Sequence, residues 1–113
     1  MIEAYAFGEM RLSGRTHRKD LFILRGEVHG GWRRAEGHTV DARDLPEVLA
    51  ARPKILVVGT GAQGRMEVAP ALALECARLG IELRALPTPE AIAAFNALLA
   101  SGEDAAGAFH LTC

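Results

Sequence analysis

Residues 54–64 read K-I-L-V-V-G-T-G-A-Q-G, and the reading of this stretch decides the fold. Ile55, Leu56, Val57 and Val58 form an unbroken apolar run, β-branched at all but one position, between Pro53 and Gly59. A short run without alternation fits a strand covered on both faces, as in the middle of a parallel sheet. Beyond it, Gly59, Gly61 and Gly64 have the G-x-G-x-x-G spacing of a dinucleotide-binding turn. That use of the glycines requires a helix to begin at the turn, so that its free N–H groups meet a pyrophosphate. Pro70 argues against it. Inside a helix begun at Gly61 it would remove a backbone hydrogen bond and clash with the preceding turn, at ~3 kcal/mol or more. Pro70 fits the first position of a helix instead, which leaves 62–69 as a loop or a separate short turn. The acidic residue expected ~20 positions on, at the end of the next strand, is also missing, because Glu82 stands at that strand's beginning. The glycines are therefore expected to make a bend, and no cofactor is expected.

Working outward, 113 residues make one domain, 1–113, large enough for a core and too short for two mononucleotide-binding halves. The formal net charge of −1 argues against a general nucleic-acid binder. No apolar run approaches the ~18 residues of a membrane span. Glu3, Glu9 and Arg11 interrupt any signal-like pattern at the start. Cys76 and Cys113 make neither a disulfide framework nor a C-x-x-C pair. These features predict a reduced, cytoplasmic chain with no membrane or nucleic-acid partner.

The first third carries strand signals at Ile2–Phe7, Glu9–Leu12 and Leu21–Leu24, punctuated by Gly8, Gly14, Gly26 and Gly30-Gly31. Short strands joined by tight turns predict antiparallel pairing. The basic run Arg15–Lys19 reads as a solvated loop. Further on, Asp44 and Glu47 have the spacing of a capping box, with Leu45, Val48 and Leu49 on one face of the helix they would open. A second helix is expected from Pro70 to about Leu79, stopped by Gly80. Ile81, Leu83 and Ala85 alternate as a strand. Thr88 is placed to cap a third helix with Pro89 at its first position. Its apolar stripe is Ile92, Phe95, Leu98 and Leu99, and Gly102 ends it. Ala105–Leu111 reads as a closing strand. The predicted fold is α/β: one layered domain with a mixed central sheet, antiparallel N-terminal strands and a C-terminal β-α-β-α-β unit of right-handed parallel crossovers.

Ligands of open α/β sheets bind beyond the carboxyl ends of the parallel strands. Three segments are expected to meet there: Gly59–Arg65, Pro87–Glu90 and His110–Cys113. They bring Gly59, Thr60, Gly61, Gln63, Arg65, Thr88 and His110 together as a candidate site for a small anion or an acidic peptide. Arg65 would be the charge partner, and the helix starts at Pro70 and Pro89 would add N–H groups. Thr88 and the glycines also have plain structural readings, as helix cap and turn residues. His110 and Cys113 lack the two further ligands a zinc site needs, so no metal is expected. Cys113 is a candidate thiol without a visible activating neighbour, and Cys76 reads as core. No catalytic grouping stands out. Trp32, followed by Arg33-Arg34, reads as a core plug or as an anchor for a protein partner.

Phe7-Gly8, Gly14, Asp20 before its strand, Trp32, Val57-Val58-Gly59-Thr60-Gly61, Gly80-Ile81, Glu90-Ala91, Phe95-Asn96-Ala97-Leu98 and the ending Gly107–Cys113 together carry a likeness. The chain resembles the small α/β family of unknown function typified by the adipogenesis-associated (Mth-type) domain protein, and more distantly the mitochondrial complex I assembly factor. The resemblance implies a single layered α/β domain with a mixed sheet and no assignable catalytic residues. It also implies an assembly-type role through protein contacts, and the ending is closer to the adipogenesis-associated branch. The expectation is a non-catalytic binding module with an unknown protein partner, as a monomer or small homo-oligomer. The alternative is an anion- or ligand-binding protein, or an enzyme, that uses the glycine-rich loop.

Overall fold

The computed structural model describes all of residues 1–113. Five strands open the chain: β1 (Ile2–Ala6), β2 (Glu9–Leu12), β3 (Arg15–His17), β4 (Leu21–Leu24) and β5 (Glu27–Gly30). A two-residue β6 (Thr39–Val40), a 3-10 turn (Ala42–Asp44) and α1 (Pro46–Ala51) lead to β7 (Ile55–Thr60). Then follow β8 (Glu67–Val68), α2 (Pro70–Leu79), β9 (Glu82–Leu86), α3 (Thr88–Ala100) and β10 (Ala105–His110).

The central sheet has the order β5-β4-β10-β7-β9, with β10, β7 and β9 parallel and β4 and β5 antiparallel. Strands β1, β2 and β3 form a separate antiparallel sheet, and β6 pairs with β8 in a short parallel bridge. The predicted α/β class, mixed sheet and antiparallel N-terminal strands are all present. The last strand does not close an edge, however. It inserts between β4 and β7, and all its residues are buried.

Period-two alternation divides the core into two layers. Leu56 and Val58 of β7, with Ala106 and Ala108 of β10, face α1, α2 and Trp32. Ile55 and Val57, with Ala105 and Phe109, face α3 and the three-stranded sheet. The small residues of β10 make this possible. A Cβ added at Gly107 would stand 2.5 Å from the Phe109 ring and 3.0 Å from that of Phe95. Those two rings meet edge to face, 5.5 Å between centroids, an arrangement aromatic pairs favour.

Pro70 begins α2, and Gly80 ends it in the left-handed conformation at φ 73°. Three local readings need correction. Arg15–His17 is a strand, pairing with β2, and not loop. The capping box lies one turn earlier than predicted. Asp41 and Asp44 cap each other across the 3-10 turn, and α1 starts at Pro46 without a side-chain cap. Thr88 does not cap α3 either, because its hydroxyl is engaged elsewhere.

Candidate functional site

The three segments expected at the carboxyl edge do meet, and they close over one another. The hydroxyl of Thr88, fully buried, accepts from Gly61 N at 2.9 Å and donates to the His110 carbonyl at 2.6 Å. Thr88 N donates to Gly61 O, and Ala62 N donates to Thr112 O at 2.7 Å. Gly64 N and Met66 N donate to Gly61 O and Thr60 O. The amides of Gly61, Ala62, Gly64 and Met66 are thus committed within the fold. Gly61 is required on two counts: its φ is 104°, and a Cβ there would lie 2.6 Å from Cys113 O. At Gly59 a Cβ would stand 2.9 Å from both Phe109 and the Thr88 hydroxyl. Thr60 is buried in this knot, whereas Gln63 and Arg65 are exposed beyond it. Neither cavity of the molecule lies at this edge. One, of about 180 Å³, opens among Leu12, Ile23, Phe95 and Leu99 at the opposite end of the sheet. The other, about 220 Å³, lies on the three-stranded sheet near Tyr5 and Arg11.

His110 leaves the knot through its side chain. Even-numbered β10 residues face the α1–α2 layer, and there the imidazole meets two residues that the site prediction did not include, Asp20 and Arg34. Asp20 Oδ2 lies 2.7 Å from His110 Nδ1 and 2.8 Å from Arg34 Nη2, while Oδ1 accepts from Leu111 N at 2.8 Å. The same Nδ1 also lies 3.2 Å from Arg34 Nη2, and its shorter contact, to the carboxylate, is the one an imidazole N–H makes. Arg34 Nη2 also donates to Gly37 O at 2.9 Å. Its guanidinium lies 4.7 Å above the centre of the Trp32 ring, a favourable cation–π placement.

All three side chains are largely inside: Arg34 is 5% exposed, His110 7% and Asp20 15%. Burial pulls the Asp20 carboxyl upward, but the hydrogen bonds from His110, Leu111 N and Arg34 outweigh it, and its pKa lies below the usual carboxylate value. Tyr5, whose hydroxyl donates to Leu111 O at 2.8 Å, is pushed up by burial and by the nearby Asp20 charge. No protein group accepts from Arg34 Nε or Nη1, and none meets His110 Nε2, although all three atoms are buried. His38, itself exposed, packs edge-on to His110 with ring centroids 6.1 Å apart.

Trp32 is on the inside, 8% exposed, with Nε1 donating to Asp44 O at 2.9 Å and Phe22 against its edge. In this conformation it packs inside the core. Cys76 is buried in the α2 layer, which raises its thiol pKa, while Cys113 is half-buried and unpaired. No group of three or more His, Cys, Asp and Glu side chains is placed to hold a metal. No helix is long and apolar enough to cross a membrane.

A mixed five-stranded sheet with a closed glycine turn at its carboxyl edge and a three-stranded sheet on one face defines a small layered α/β class. More particularly, the chain belongs to the family described as "Protein of unknown function (DUF498/DUF598)", whose model matches residues 2–110. The fold is shared with a conserved hypothetical protein from Pyrococcus horikoshii, at 23% identity and TM-score 0.84 over 100% of this chain and 99% of that one. A protein named MT938 matches at 26% identity and TM-score 0.84, over 100% of this chain and 98% of that one. A Bordetella pertussis protein described as a Mth938-like domain matches at 20% identity and TM-score 0.80, over 97% of this chain and 84% of that one.

Proposed function

We propose that this chain is a non-catalytic binding module of assembly type, acting in the cytoplasm through contacts with another protein. One observation carries the reading: the carboxyl edge, where α/β enzymes of this layout open a crevice, is sealed by hydrogen bonds among its own loops. A ligand or substrate held by the amides of Gly61 and Ala62 would have to displace Thr88 and Thr112 from them. That weighs against the competing reading, a ligand-binding protein or enzyme built on the glycine-rich loop.

The test is affinity capture of the tagged full chain from native lysate at physiological salt, with light scattering to fix its own oligomeric state. The expected outcome is a monomer or small homo-oligomer that retains one partner in stoichiometric amount, and retains it equally as Arg65→Ala. Capture of nothing, together with saturable shifts at Gly59–Arg65 on adding phosphate or acidic peptides, would replace this reading with the competing one.

A further inference from the structure

We propose that Arg34 and His110, held by Asp20, form a binding site for a small oxyanion, and that the anion binds together with one proton. The site is separate from the glycine-rich loop. It uses the imidazole of His110, whereas the knot uses that residue's carbonyl.

The first argument is an inventory of donors and acceptors. A guanidinium carries five N–H donors. Those of Nη2 go to Asp20 Oδ2 and Gly37 O. Nε and Nη1 have no protein acceptor, on a side chain that is only 5% exposed. A buried polar group left unmatched costs about 1–3 kcal/mol, and more when it is charged. His110 Nε2 is likewise buried with no protein partner. Unmatched guanidinium donors in a cluster with an unpartnered imidazole nitrogen suit an oxyanion taken up together with a proton, such as phosphate or a carboxylate.

The second argument is charge. Asp20 neutralises Arg34, so with neutral His110 the cluster sums to zero. A buried anion needs a compensating positive charge, and a proton supplies it, whether it resides on Nε2 or on the ligand. The charged and titratable groups facing His110 are Asp20 from the segment before β4 and Arg34 and His38 from the loop after β5, while Tyr5 from β1 lies near Asp20.

Ala35, Glu36, Gly37 and His38 are exposed while the Arg34 side chain is buried, and His38 packs against the His110 ring.

The experiment titrates the full chain with inorganic phosphate, and separately with acetate, while following the His110 ring and the backbone amides by NMR. Saturable shifts at the His110 ring, Gly37 and Leu111 are expected, with none at Gly59–Arg65. Affinity is expected to rise roughly tenfold per unit fall in pH within the window where one proton is taken up. Phosphate and acetate both binding identifies an oxyanion site, and phosphate alone narrows it to phosphoryl groups. His110→Gln, which keeps a polar side chain but takes no proton, is expected to abolish the pH dependence. Arg34→Lys is expected to weaken binding at least tenfold. Arg65→Ala is the control and binds as the parent does. Absence of saturable shifts at His110 in the folded parent protein at millimolar phosphate overturns the proposal, as does an affinity independent of pH.

Discussion

Two buried polar regions lie within one residue of each other at the end of β10. In the knot, Thr88 joins Gly61 to His110 O and each group has its partner. In the cluster, Asp20 is fully engaged but Arg34 and His110 keep unmatched atoms inside the protein. A saturated network fixes a conformation and has nothing left to offer a ligand. An unsaturated one costs stability, and folds retain such groups where they meet something else. The familiar glycine signature is thus bonded into the scaffold, and the unmatched buried atoms belong to side chains that no short motif connects.

The largest expected effect breaks the cluster. Asp20→Ala leaves a buried guanidinium without its counter-charge and is expected to cost about 3–5 kcal/mol in chemical denaturation. Replacing both members, Asp20→Leu with Arg34→Met, should recover much of that loss; if it does not, the cluster is contributing more than charge compensation. In the knot, Thr88→Val keeps the shape and removes the hydroxyl, leaving Gly61 N and His110 O unmatched. A loss of about 2–3 kcal/mol is expected, and a neutral result would show that the knot is held by packing alone.

Acid should separate the two regions as well. The folded pKa of Asp20 lies below its unfolded value. Its contribution is therefore present above the ordinary carboxylate range, ~3.9, and is lost as pH falls through the lower folded value. Denaturation midpoints measured on either side of that range should show the loss in the parent and a reduced loss in Asp20→Asn, while Thr88→Val keeps the parental acid dependence. At the small end, Arg65→Ala is expected to change stability by less than about 0.5 kcal/mol, as befits an exposed side chain outside the knot.

What can be read from the sequence follows from chemistry confined to neighbouring residues. Pro70 and Gly80 bound α2 because a missing N–H and a left-handed φ act where they stand. The run 55–58 signals a strand covered on both faces for the same reason. Thr88 misleads because Thr-Pro-Glu is a sound helix opening in isolation. Its hydroxyl is drawn instead to groups 22 and 27 positions away along the chain. Asp44 misleads by one turn, since Asp41 three residues earlier offers the same cap geometry. The cluster is the least legible part. His110 is among the candidates, but its partner Asp20 lies 90 positions away and Arg34 lies 76 away. Only the sheet order, which sets β10 beside β4, brings them together. The signals available are an acidic residue heading an apolar strand and an arginine two positions after the tryptophan, and neither spacing specifies a contact.

That sheet order also bears on how the molecule is made. Strand β10 emerges after every other strand, yet it joins β4 to β7. During synthesis the N-terminal hairpin and the β7-α2-β9 unit must wait side by side, each with an open edge, until residues 105–110 arrive to zip them. Nascent chains halted before that point should remain sensitive to proteases and inclined to pair with one another, and a C-terminal deletion reaching residue 105 should abolish the fold, not merely loosen it.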